Sequence, residues 1–531
     1  MEDEDRRGRD VEWRATRLAG AVWGQLVGDA IGVPYEFRAP EAVGGVRLGE
    51  AGTHGVPSGT WSDDGALMLA LLDSLLGSWP EDAPEAPAPR FDPEDQGRRA
   101  RAWFRHGAYT PDGVVFDVGG TTGRALRAME AGTPAADAGP RDEGSQGNGS
   151  LMRILPVALV FAGEPPARLV QMADLASRVT HGHPVARATC ALHVLVAREL
   201  LRGERSRPRA LARGRAELGR AVAGSELESA IAVVDGWTER TGRGYVVDAF
   251  WSAWDAFAGA RDYRGAIERA IRYGHDTDTT AAIAGGLAGL YWGIDGIPPE
   301  WLAGLRGRDV ALPIVDRLLA TDGWRTSTTN PLRVDWVDLA GVPALAGTSG
   351  RLGMTLLPGK QRDGWTGLHW RDLATDARRL RERWGTDTFL LLVQDRDLDI
   401  ARAGDVVAGL AAAGIEVLRH PVPDMDVPED PAAFRATLDG ILDRLRAGQA
   451  VVVACRGGLG RTGTAVACLL VDGGLDPEAA IRLTRASRRG TIERDRQEAF
   501  VRSWASVARA PAPDGRGRGP GSSAGRPATR R

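Results

Sequence analysis

Lysine is almost missing from this chain, with Lys360 standing alone among 67 basic residues. The 67 basic and 70 acidic residues leave a formal net charge of −3, so no global basic field points to nucleic acid or an anionic membrane surface. Cysteine is scarce too. Cys190, Cys455 and Cys468 are the only three, too few for a disulfide framework or a four-cysteine zinc site. Nowhere is there an uninterrupted apolar run of about 18 residues, the length a membrane helix needs. The opening MEDEDRRGRD has no apolar segment behind it. Together these absences predict a soluble, cytoplasmic protein that works in a reducing compartment.

What is present is enough hydrophobic material, 43% of 531 residues, for two or three domains with real cores. Period-two alternation is nearly absent before Leu339, and segments such as Ala15 to Gly32 and Asp63 to Trp79 are apolar around most of their circumference. Residues 1–320 are therefore expected to form an all-α domain. TDGWRTSTTNP, from Thr321 to Pro331, is polar and turn-rich and opens a linker over 321–335. From 336 to 508, short β-branched runs followed by turns and helices predict a smaller α/β domain. After it, 509–531 read as a disordered basic tail. The stretch from Trp79 to Asp95 reads as a loop inside the first domain.

Two helix starts in the first half are crowded with oxygen ligands. GTWSDDGAL, from Gly59, places a serine and two aspartates before an apolar helix, and DTDTTAAIAGGLAG, from Asp276, repeats the arrangement before a helix of alanine and glycine. One aspartate at a helix start is an ordinary cap. Four converging carboxylates would repel one another without cations, and hard divalent ions such as Mg²⁺ or Mn²⁺ take this ligand set. Gly20, Gly24 and Gly28 fall four apart, on one helix face where another helix can approach closely. The glycine-rich GGTTG (Gly119 to Gly123) and GNGS (Gly147 to Ser150) each precede an expected helix, whose free N–H groups can receive a phosphate.

In this order, GDAIGVPYE, SDD, GNGSLMR, THGHP and DTDT resemble the ADP-ribosylglycohydrolases. The resemblance spans roughly 12–320 and implies an all-α fold and hydrolysis of the bond joining ADP-ribose to a modified protein or small molecule. It also implies a centre of two Mg²⁺ or Mn²⁺ ions. Carried over, Ser62, Asp63, Asp64, Asp276, Asp278 and Thr279 would hold the ions, with Glu36 beside them as proton shuttle. Gly119, Thr121, Gly147, Asn148, Gly149 and Ser150 would receive the pyrophosphate, and His181 would line the adenosine or ribose pocket. Family members commonly carry threonine where this chain has Ser62 and Gly65; serine keeps the hydroxyl ligand.

The second half carries CRGGLGR, a cysteine, five residues and an arginine between an expected strand and helix. Consecutive loop N–H groups form an anion nest, and Arg461 can grip two phosphate oxygens. From Leu352 to about Trp504 the chain resembles the dual-specificity and tyrosine phosphatases. The resemblance makes Cys455 the nucleophile, with Gly457, Gly458, Gly460 and Arg461 around the phosphate of a phosphorylated protein or other phosphoester. HPVPDMDVP supplies the general acid, Asp424, with Asp426 in reserve. Thr462 would stabilise the leaving thiolate, and Gln497 would position water. Ala454 stands where the family usually has histidine. Two rivals to a bifunctional hydrolase stay open: a phosphate-binding targeting module in the second half, and a first half that binds ADP-ribose without hydrolysing it.

Overall fold

The computed structural model describes residues 2–50, 52–77, 88–362 and 367–507. The basic tail lies outside the described residues, as does most of the loop expected from Trp79 to Asp95. That loop ends early, because the Asp92 side chain accepts from the N–H groups of Glu94 and Asp95 and so caps a helix, Pro93–His106. Among the described residues no helix is long and apolar enough to cross a membrane.

The chain divides into two compact units, Met1–Pro331 with Arg362–Trp370, and Leu332–Gln361 with Arg371–Arg531. Each has its own hydrophobic core. The division expected from the sequence was contiguous; the structure interrupts it. Residues Arg325–Thr326 pair in parallel with His369–Trp370, and Trp324 meets Trp370 edge-on at 5.6 Å between ring centroids. Burial of Trp370 in the helical core draws this segment back.

The first unit is helical, as expected. Its site rests on α1 (Glu2–Gly32), α2 (Asp63–Leu76), α3 (Gly120–Glu130) and α4 (Thr277–Trp292). Every residue of α4 from Thr277 to Leu290 is buried. Backbone packs against backbone along the seam between α1 and α4: a Cβ on Gly20 would lie 2.5 Å from Gly289 O, one on Gly24 2.6 Å from Gly285 O, and one on Gly28 2.2 Å from Ala281 O. Interior glycines cost a helix up to about 1 kcal/mol each, a cost that the close approach and complete burial offset. The seam brings the start of α4 against the end of α1.

The second unit is built on a five-stranded sheet. Its strands are β1 (Asp335–Trp336), β2 (Arg351–Leu356), β3 (Thr388–Leu391), β4 (Glu416–Arg419) and β5 (Ala450–Cys455), in the spatial order β1-β2-β5-β3-β4. Only β1 runs antiparallel to its neighbour. Central β5 is buried at every position, as its uninterrupted apolar sequence requires. Cys455 ends it opposite Leu356. Three helices surround this strand end: α5 (Asp395–Ile400), α6 (Gly460–Asp472) and α7 (Asp495–Ser503).

Candidate active sites

In the helical unit the two acidic helix starts meet. Thr279 Oγ1 donates to Asp64 Oδ2 at 3.0 Å, and Ser62 Oγ donates to the same oxygen at 3.3 Å while accepting from the Asp64 N–H. Asp278 Oδ1 accepts from the Thr279 N–H at 2.9 Å. The other oxygens, Asp64 Oδ1 and Asp278 Oδ2, are buried and have no hydrogen-bond partner. Asp276 Oδ2 accepts from Asn148 Nδ2 at 2.8 Å, which ties the second helix start to the GNGS turn.

Seven carboxyl groups gather here with their pKa values raised: Asp29, Glu36, Asp63, Asp64, Asp117, Asp276 and Asp278. Burial is the leading cause for each. Glu36 is pushed up to about 9 by burial and then by Asp117, Asp276 and Asp29; Asp29 reaches about 7. So much acid in so little solvent, with two orphaned oxygens among it, is the environment that divalent cations neutralise.

Beside this cluster opens a cavity of about 230 Å³. Glu36, Asp63, Asp117, Asp276 and Thr279 line its acidic side, and Gly119, Thr121, Gly147, Asn148, Gly149 and His181 line the rest. GGTTG opens α3, with Gly119 as its cap residue. GNGS does not lead directly into a helix, because the next one begins only at Leu155. The Ser150 hydroxyl is fully buried, accepts from Ser177 Oγ at 2.9 Å and sits 3.4 Å from Cys190 Sγ, so it faces the helix behind the turn and leaves only the N–H of this residue for the expected role. His181 is held neutral, its pKa pushed down to about 3 by burial and then by Arg153 and Arg124. A Cβ on Gly149 would stand 2.9 Å from its ring, which explains that glycine.

Three non-glycine residues with left-handed backbone surround the cavity: Phe37 (φ 64), Asp117 (φ 51) and His275 (φ 59). Such strain persists where neighbours enforce it. Phe37 N–H donates to His275 O at 2.7 Å and His275 N–H to Arg38 O at 2.8 Å, which clamps the Glu36 loop to the approach of α4.

In the second unit, Cys455 and Arg461 bracket a tight loop. Gly458 has φ +70, and a Cβ there would lie 2.2 Å from Thr355 O. Arg461 is 4% exposed; it donates to Asp397 Oδ2 at 2.6 Å and Val422 O at 3.0 Å, and it pairs with Asp424 Oδ1 at 2.9 Å. Asp426 instead pairs with Arg496, so of the two acid candidates Asp424 is the one at the loop. The Thr462 hydroxyl is buried without a hydrogen-bond partner. Gly457 O accepts from Arg488 at 3.4 Å. Gly460 departs from expectation: its N–H donates to Glu493 Oε2 at 2.8 Å, so that donor is withdrawn from the nest. Gln497 is fully buried and held at both amide ends, by the Glu493 N–H at 3.0 Å and by Asp426 O at 3.2 Å.

The ADP-ribosylglycohydrolase family model matches residues 11–327. The chain belongs to the ADP-ribosylglycohydrolase family. Its glycohydrolase unit is 30% identical to the ADP-ribosyl-[dinitrogen reductase] glycohydrolase of Rhodospirillum rubrum, covering 54% of this chain and 90% of that protein. It is 29% identical to the ADP-ribosylarginine hydrolase Tri1 of Pseudomonas putida, over 54% of this chain and 73% of the relative. A solved ADP-ribosylglycohydrolase-related protein complex is similar at 33% identity and a TM-score of 0.47, covering 58% of this chain and 98% of that one. The second unit carries a DSP-PTPase phosphatase domain of the Swiss Army Knife type, matched over 410–501. Solved kinase associated phosphatase resembles it at 24% identity and a TM-score of 0.30, over 33% of this chain and 94% of that one.

Sequence reasoning missed four acidic or imidazole groups. Asp29 accepts from the N–H groups of Ser62 and Gly65, at 2.9 and 2.7 Å; it stands in the GDAIGVPYE motif as the only charge between Arg17 and Glu36, and that was its signal. Asp117 and His54 sit in loops that read as ordinary turns. Asp397, four residues beyond β3's apolar extension, reads as a helix-start acid and does serve in a capping box, yet it also holds Arg461.

Proposed function

We propose that the glycohydrolase unit hydrolyses the bond between ADP-ribose and its acceptor with two Mg²⁺ or Mn²⁺ ions bound, and that the second unit hydrolyses phosphoesters through Cys455. The observation that carries the first reading is the pair of buried, unpartnered carboxylate oxygens on Asp64 and Asp278. Ser62, Asp63, Asp64, Asp276, Asp278 and Thr279 fit as the residues that would hold the ions. When bound, the ions would orient the ribose hydroxyls and polarise water near the anomeric carbon. The helix start at Gly119 and the GNGS turn offer N–H groups to the pyrophosphate. His181, neutral, offers its ring without repelling the nucleotide's cationic neighbours. Glu36, clamped at the cavity edge, shuttles a proton between water and the leaving group. Relatives named for ADP-ribosylarginine make that the first acceptor to test.

In the second unit Cys455 Sγ attacks phosphorus, Asp424 protonates the leaving oxygen, and Arg461 stabilises the equatorial oxygens. Water then attacks the cysteinyl phosphate, Asp424 takes its proton, and the Thr462 hydroxyl stabilises the departing thiolate. A second reading, phosphate binding without turnover, is favoured by Ala454 preceding the nucleophile. The test is the full-length protein assayed on ADP-ribosylated arginine and serine peptides with Mg²⁺, Mn²⁺ or chelator, and on aryl phosphate with Cys455→Ser as control. Release of ADP-ribose in chelator, or aryl phosphate turnover unchanged in Cys455→Ser, would refute the respective reading.

A further inference from the structure

His54 lies on the loop that follows the first strained turn, and the rest of the machinery makes no use of it. Its Nε2 contacts Glu36 Oε2, and ligand atoms of Glu36, His54 and Asp117 all lie within 4.8 Å of one another. The Glu36 side chain is 4% exposed and that of His54 15%. Two rings hold the imidazole. Phe37, the residue after Glu36, stands 5.8 Å away between ring centroids at 53°, and Phe116, the residue before Asp117, stands 5.1 Å away at 47°. Thr53 Oγ1 donates to the Glu36 carbonyl at 2.9 Å, so the loop is fastened to Glu36 through backbone as well as side chain. Phe37 and Asp117 are both among the residues with left-handed backbone. The chain thus accepts strain on both sides to place one imidazole between two carboxyl groups.

We infer that His54 is a positioning residue: it fixes the Glu36 carboxyl on one oxygen, leaves the other directed to the cavity, and sets Glu36 against Asp117. This rests on the proposed shuttle role of Glu36. A carboxyl group free to rotate among six acidic neighbours would sample many hydrogen bonds, and a partner of this kind typically accounts for about 10–100-fold in activity. The proposed nucleotide contacts, at Gly119, the GNGS turn and His181, do not include His54, so the effect is expected on turnover and not on nucleotide binding.

The test is a double-mutant cycle in the full-length protein, with Glu36→Gln, His54→Phe and both together, plus His54→Gln as the conservative variant. ADP-ribose release and bound Mn²⁺ per chain are measured for each. His54→Phe fills the aromatic clamp without a nitrogen and should lower kcat by about 10–100-fold at unchanged KM. His54→Gln keeps a donor and should recover most of that loss. In the Glu36→Gln background His54→Phe should add nothing. If His54→Phe misfolds, His54→Leu takes its place in the cycle. Full activity in Glu36→Gln would overturn the shuttle reading itself. Loss in Glu36→Gln with full activity in His54→Phe would overturn the inference alone. Losses that add, a rise in KM without a fall in kcat, a loss in His54→Gln as large as in His54→Phe, or fewer bound ions in His54→Phe would each overturn it as well.

Discussion

Replacing Gly28 by alanine should damage the geometry of the acidic cluster without touching any of its carboxyl groups. The added Cβ would lie 2.2 Å from Ala281 O and 2.8 Å from its carbonyl carbon, where ordinary contact begins near 3.4 Å. Both atoms are backbone of the buried α4, so no rotamer change relieves the clash, and α1 and α4 must part by about 1 Å. Because Asp29 of α1 holds the start of α2 through the Ser62 and Gly65 N–H groups, that parting would draw Asp64 away with it and stretch its 3.0 Å hydrogen bond from Thr279 beyond hydrogen-bonding distance. Overpacking of this kind costs about 1–3 kcal/mol, and for a unit of this size Tm falls about 2–4 °C per kcal/mol. Misplacing reacting groups by about 1 Å can lower turnover about 100-fold. Thermal unfolding, Mn²⁺ titration and ADP-ribose release in the full-length protein measure all three. Gly219→Ala is the control: it sits in helix Arg207–Val222 with open space around it, and it should leave activity intact while raising stability by up to about 1 kcal/mol. A Gly28→Ala protein with wild-type Tm and Mn²⁺ affinity would show that the seam does not set the site.

Other perturbations separate the two activities. Asp278→Ala should abolish divalent binding and ADP-ribose release while phosphatase turnover is unchanged; hydrolysis persisting in chelator would remove the two-ion reading. Asp424→Asn should lower phosphatase kcat by about 10²–10⁴-fold, whereas Asp426→Asn should change it little, and the reverse order would reassign the general acid. His193, which is buried with its pKa pushed down to about 4, should contribute a loss of stability in acid, opposed by the raised carboxyl groups. The unfolded chain binds the His193 proton near pH 6.5, so its contribution is lost as pH falls from about 6.5 toward 4, by about 2 kcal/mol at pH 5. His193→Leu should flatten this limb in denaturant titrations at pH 7 and pH 5; an unchanged slope would place the acid sensitivity elsewhere.

The sequence was most legible where function is written in consecutive residues. SDD, DTDT and CX5R each lie at one helix or strand end, so local patterning alone placed Asp64, Asp278, Cys455 and Arg461 correctly on their elements. Gly20, Gly24 and Gly28 announced a close helix approach through spacing alone. Groups that reach a site singly were invisible: Asp29, His54, Asp117 and Asp397 each carry a plausible local role as cap or turn residue, and only the tertiary fold gives them a second one. Gly460 shows the converse. Its N–H looked available in a glycine-rich loop, but a distant residue, Glu493, had already claimed it.

The return of Arg362–Trp370 to the helical unit bears on how this protein is made. A ribosome delivers the first 331 residues, and with them every described helix and the whole acidic cluster of the helical unit, before the segment that contributes Trp370 to the core has been synthesised. The helical unit therefore cannot complete itself as a simple N-terminal module during translation. Its last piece arrives only after about thirty residues of the phosphatase unit have been threaded past. Splitting the gene product at the apparent linker would leave Arg325–Thr326 without a strand partner and Trp324 without its neighbouring ring. Fusion of the two catalytic families in this chain is thus more than adjacency along one polypeptide, since the sequence of each unit interrupts the other.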